Sequence, residues 1–131
     1  ALARGDPALA SSRFAEATSL FEGRKEKIAM NVLALIGLAQ AEQALGRGPA
    51  AATAADHAIA LAESFVEKDA PSYLVGLSRA VQGEVQLANG QGDAGRATFQ
   101  AALAHLERTL GADHPATKDA RSRALSSASR P

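Results

Sequence analysis

Six short segments, each with apolar residues at intervals of three and four and each bounded by glycine, proline or aspartate, leave this chain few ways to fold. That spacing gathers apolar side chains on one face of an α-helix, and the punctuation stops each helix before the next begins. The first predicted helix takes Asp6 as cap and Pro7 as its first residue, carries Phe14, Ala17, Leu20 and Phe21, and weakens at Gly23. The second runs from about Lys27 to Leu45, buries Ile28, Val32, Ile36 and Ala39, and stops at Gly46. GRGP makes the next turn, Pro49 opens the third helix, and Ala55, Ala58, Ile59, Ala62, Phe65 and Val66 form its stripe as far as KDAP. Ser72 caps the fourth, with Leu74, Leu77, Val81, Val85 and Ala88, ending near Gly90. Asp93 starts the fifth, which carries Phe99, Ala102, Leu103, Leu106 and Leu110 and closes at Gly111. In GADHPAT, Asp113 is the expected cap and Pro115 a first-turn residue of a sixth helix, whose polar end SSASRP should fray.

Composition agrees. The 131 residues fit one domain, 1–131, and are 47% hydrophobic but only 4% aromatic, with alanine supplying much of the apolar share. Alanine is the best helix former, while the β-branched and aromatic residues that strands favour are sparse, so the expectation is all-α. Short connections make consecutive helices antiparallel, and hairpins that each expose an apolar stripe must stack to hide it. A closed four-helix bundle is the rival arrangement.

Fourteen basic residues offset fourteen acidic ones, a balance that provides no long-range field to gather nucleic acid or an anionic membrane. Cysteine is absent, which removes disulfides and thiolate metal sites. No apolar run approaches the roughly 18 residues of a membrane-spanning helix; the longest, Val32 to Ala39, is interrupted by Gly37. The opening ALARGDP does not resemble a signal peptide, and with no initiating methionine the chain reads as a piece of a longer protein.

Nothing in the sequence points to chemistry. His57, His105 and His114 lie on separate segments without metal-ligand spacing. His57 reads as a surface residue and His114 as part of the DHP link, while His105 would meet a ligand only if its helix face lined a groove. GRGPAAAT lacks the Lys-Ser/Thr pair of a phosphate loop. Glu63, Glu67 and Asp69 beside Lys68 read as a solvated helix end, and Lys118, Arg121, Arg123 and Arg130 lack the interleaved aromatics of a nucleic-acid surface. The expectation is a non-enzyme without cofactor or metal.

Residues 83–117, GEVQLANGQGDAGRATFQAALAHLERTLGADHPAT, resemble a tetratricopeptide repeat of the kinesin-light-chain type, most specifically in LGADHPAT. Gly83 and Gly90 match the family's small residues of the first helix, Gly95 stands where alanine is usual, and Phe99 and Ala102 match the second helix. RFAEATSLFEG resembles the second helix of an earlier repeat through Phe14, Ala17 and Phe21, and VLALIGLAQAEQALGRG resembles a first helix through Leu33, Ile36 and Gly37. The resemblance implies an all-α superhelix of about six helices in stacked antiparallel hairpins. It also implies a protein or peptide partner, held in a groove lined by the first helix of each hairpin.

On that reading the second and fourth predicted helices offer Asn31, Leu38, Glu42, Arg79, Gln82 and Gln86 as groove residues. The family carries bulky apolar residues where Arg79, Gln82, Gln86 and Asn89 stand. Burying such polar groups unpaired would cost about 1–3 kcal/mol each, so the fourth helix should instead turn Leu74, Leu77, Val81 and Val85 inward. The lysine and asparagine clamp that some family members use for carboxylate tails is absent. Similar arrays occur in regulatory parts of bacterial serine/threonine kinases and transcription regulators. That implies a cytoplasmic module, or a periplasmic one if its parent is membrane-anchored. Homo-oligomerisation within such a parent is the alternative role.

Overall fold

The computed structural model describes residues 27–67 and 70–128. Five helices follow one another: α1 (Ile28–Ala44), α2 (Gly48–Ser64), α3 (Tyr73–Ala88), α4 (Gly92–Thr109) and α5 (Pro115–Ala128). No strand occurs among the described residues, and the fold is all-α. The first of the six predicted helices, from Asp6 through Phe21, lies outside the described residues.

Two glycines 44 residues apart, Gly46 and Gly90, end the first helix of each hairpin in the same way. Both take positive φ, 76° and 82°, which costs glycine nothing because it has no Cβ. Gly46 N–H donates to Gln43 O and Arg47 N–H to Glu42 O; Gly90 N–H donates to Leu87 O and Gln91 N–H to Gln86 O. These pairs satisfy carbonyls that a helix end otherwise leaves open, in the Schellman pattern. After each turn, Gly48 and Gly92 start the next helix at the same 44-residue offset.

Ser72 caps α3 as its sequence predicts, its Oγ accepting from Val75 N–H at 3.2 Å. Two other expected caps are displaced. Asp93 lies inside the first turn of α4 and ion-pairs with Arg96, while Gln91 holds the cap position without a side-chain bond. At α5, His114 takes the role expected of Asp113: its Nδ1 accepts from Ala116 N–H at 3.0 Å. Pro115 is the first helical residue, so the cap falls one residue later than aspartate preference suggests. The third predicted helix also ends early. α2 stops at Ser64, so Phe65 leaves the stripe and stands 44% exposed.

Each helix packs on its neighbour in the chain, and α1 also packs on α3. Three clusters of buried apolar residues can be distinguished, the first two both built from α1, α2 and α3 and joined through the half-buried Ile36. Val32, Ala62, Leu74 and Val75 make one, Ala39, Ala54, Ala55 and Val81 a second, and Phe99, Ala102, Leu106, Ala120 and Ala124 a third. α3 turns Leu74, Val81 and Val85 inward as expected, and Leu77 is half-buried.

At matching places 44 residues apart the two hairpins are keyed differently. The first sets Ala39 and Ala55 in one cluster, whereas the second sets the fully buried Phe99 ring over Gly83. A Cβ on Gly83 would stand 2.8 Å from the ring. Glycine there lets the aromatic ring lie where a methyl would otherwise project.

Candidate functional site

Among the described residues, two concavities stand out. The larger, about 450 Å³, lies between the end of α2, the start of α3 and α4, over Val66 and Val75, and is lined also by Glu63, Glu67, Arg79 and His105. Its polar groups largely serve one another. Arg79 Nη2 donates to Glu63 Oε2 at 2.6 Å, and His105 Nδ1 accepts from Ser72 N–H at 3.0 Å. That acceptance puts the imidazole proton on Nε2. Burial, the main cause, and the positive charges of Arg79 and Arg108 hold its pKa below the usual histidine value, against the pull of Glu63. The ring is therefore neutral at neutral pH and splices α4 to the α3 cap. His105 does line a concavity, and the link that holds it spans 33 residues, beyond the reach of local sequence pattern.

The six groove candidates divide by helix. On α1, Asn31 is buried with Oδ1 unpartnered, Leu38 packs against the Ala39–Ala54–Ala55–Val81 cluster, and Glu42 is buried and paired with Arg47 at 3.3 Å. On α3, Arg79 pairs with Glu63, Gln82 donates to Asp56 Oδ1 at 2.9 Å, and Gln86 accepts from Thr98 Oγ1 at 2.6 Å. The polar stripe of α3 is thus clasped to α2 on one side and α4 on the other. Its partners satisfy it, and this answers how a stripe expected to be apolar is tolerated. Of the six, Arg79 alone lines either concavity.

The smaller concavity, a cleft of about 160 Å³, lies directly between α1 and α3. Its apolar floor is Val81 and Val85 of α3 with Ala44 of α1; Gln40, Gln43 and Glu84 supply its polar edge. Gln43 Oε1 is buried without a hydrogen-bond partner. Glu84 is half-buried and makes no ion pair or hydrogen bond among the described residues. Its carboxyl pKa is raised, first by burial; Arg123 opposes the rise and Asp119 adds to it. Arg123 itself is engaged elsewhere: its Nε donates to Asp119 Oδ2 at 3.0 Å and its guanidinium lies 5.5 Å from the centre of the Phe99 ring.

His57 is exposed, and Lys68 and Asp69 lie outside the described residues. Among the described residues no group of three or more His, Asp or Glu is close enough to hold a metal ion. None of their helices is long and apolar enough to cross a membrane. No protein-family model, curated protein or solved structure matches the chain.

Proposed function

We propose that this chain is a tetratricopeptide-like scaffold that binds a segment of another protein in the cleft between the first helices of its two described hairpins, α1 and α3. The observation that carries the reading is the cleft itself: an apolar floor with a polar edge on which the buried Gln43 Oε1 has no partner among the described residues. Buried polar atoms are normally satisfied, and one left open at a concave edge is available to a ligand. The 44-residue pitch shared by the Gly46 and Gly90 turns and the neighbour-to-neighbour packing support stacked repeats over a closed bundle.

The test is selection of short peptides from a displayed library against the folded chain, with the bound surface mapped by amide chemical shifts. Shifts centred on Gln40, Gln43, Val81 and Glu84 support the scaffold. Binders confined to the outward faces of α2 and α4, or no binders at all, refute it.

A second reading, self-association within a larger regulatory protein, is favoured by exposed apolar residues on the outermost described helices. Met30 and Leu33 on α1 are 49% and 45% exposed, and Leu125 on α5 is 64% exposed. Repeat stacks expose such surfaces where a further repeat or a partner would continue them. Sedimentation across a range of concentrations separates the two, because a chain that stays monomeric removes the second.

A further inference from the structure

We infer that the α1–α3 cleft seats a lysine or arginine side chain of the bound segment, with Glu84 as its counter-ion and Gln43 Oε1 as a second acceptor. The inference rests on the scaffold reading and specifies what the cleft selects. Each of the carboxylates of Glu42, Glu63, Asp93, Glu107 and Asp119 has an arginine within 4 Å. Asp56 accepts from Gln82. Glu67 and Asp113 are exposed to water. Among the described residues Glu84 is the exception, half-buried and without an ion pair or hydrogen bond.

Partial burial takes hydration from a carboxylate, and the loss is recovered only when donors replace the water. The basic group acting on it, Arg123, donates its Nε to Asp119 and lies over the Phe99 ring without bonding Glu84. Donors to Glu84 therefore come from water or from a bound partner, and a partner's cation makes the stronger, charge-assisted bond.

Size and shape select the kind of donor. At about 160 Å³ the cleft falls below the roughly 300–1,000 Å³ of pockets that enclose small organic ligands. It has room for one side chain. The floor of Val81, Val85 and Ala44 offers apolar surface to a methylene stem, and the polar edge lies where the charged head emerges. Lysine and arginine combine such a stem with a donor-only head. An acidic side chain would meet Glu84 with like charge, and an aliphatic one would leave both acceptors dry and unpaired. The larger concavity has no such need, because its guanidinium and its imidazole Nδ1 are already bonded.

The probes are N-acetyl-lysine amide and N-acetyl-arginine amide, compared with N-acetyl-norleucine amide and N-acetyl-glutamate amide and titrated into the isotopically labelled full chain. Saturable shifts at Gln40, Gln43 and Glu84 are expected with the two basic compounds. Binding should be at least about tenfold weaker with norleucine, and weaker by a similar factor in Glu84→Gln, since a charge-assisted bond is lost in each case. Equal binding of norleucine, unchanged affinity in Glu84→Gln, or no saturable shift in the cleft overturns the inference. The two readings fail separately. Library peptides that occupy the cleft with no preference for a basic residue overturn this inference and leave the scaffold standing. Basic probes that bind the cleft while no peptide does remove the scaffold, and with it the bound segment, and leave only the cleft's selectivity for a cationic group.

Discussion

Replacing Gly83 by alanine sets two effects of known size against each other. In an open helix interior the change is favourable by about 1 kcal/mol, because alanine loses less backbone freedom on folding. At Gly83 the added carbon would lie 2.8, 2.9 and 3.1 Å from three atoms of the Phe99 ring. Optimal carbon contacts are about 3.5–4.0 Å. The ring is fully buried with Ala102, Leu106, Ala120 and Ala124, so it has no free space into which to retreat. Overpacking of this kind costs about 1–3 kcal/mol. The balance is a net loss of up to about 2 kcal/mol; at an unfolding entropy of about 2.1 cal/mol/K per residue, 1 kcal/mol is about 4 °C for a domain of this size, so Tm falls by up to about 8 °C. The assay is thermal unfolding followed by circular dichroism for Gly83→Ala, Phe99→Leu and the double variant. The double variant should be more stable than the sum of the single losses predicts, since without the ring the alanine is free to contribute its helix preference. A Gly83→Ala protein that melts above the parent, or a penalty that persists in the Phe99→Leu background, would refute the packing argument.

Two further outcomes are expected. Phe99→Ala should destabilise the chain by about 3–5 kcal/mol, because the ring is fully buried between Gly83 and the third cluster; chemical denaturation measures it, and an unchanged midpoint counts against the assignment. For Glu84, whose carboxyl pKa is raised mainly by burial against the pull of Arg123, the folded chain holds the proton more tightly than the unfolded one. Its contribution to stability is therefore full below the ordinary carboxylate value and is lost as pH rises through the raised value. Glu84→Gln should accordingly be the more stable protein at neutral pH and show less loss of stability across that window; identical pH profiles for the two proteins would contradict this.

Local signals were legible and meetings between distant elements were not. Ser72 caps α3 because its hydroxyl needs only a backbone N–H three residues away. Gly46, Gly90 and Gly111 end helices because each takes positive φ, a need visible in the residue type. His114 displaced Asp113 because cap placement follows the backbone path into Pro115 rather than side-chain preference alone. Phe65 fits the helical spacing of α2, yet the helix stops one residue before it. The cleft was illegible for another reason. Gln40, Gln43 and Glu84 are ordinary polar residues on helices, and only the contact of α1 with α3 makes them neighbours. The groove candidates on α3 shared its polar stripe, but that stripe meets Glu63, Asp56 and Thr98 on adjoining helices. Periodicity identifies which face is polar without saying what lies opposite it.

On the proposed stacked arrangement, in which the main contacts join near neighbours in the chain with α1 against α3 as the longest step, the energetics would be close to one-dimensional. Loss of α5 removes the cover from the Phe99 cluster but touches none of the residues around Val32 and Ala62. Denaturation of such a stack would begin at an end and proceed inward by single helices, so that a shortened array outlives its last rung.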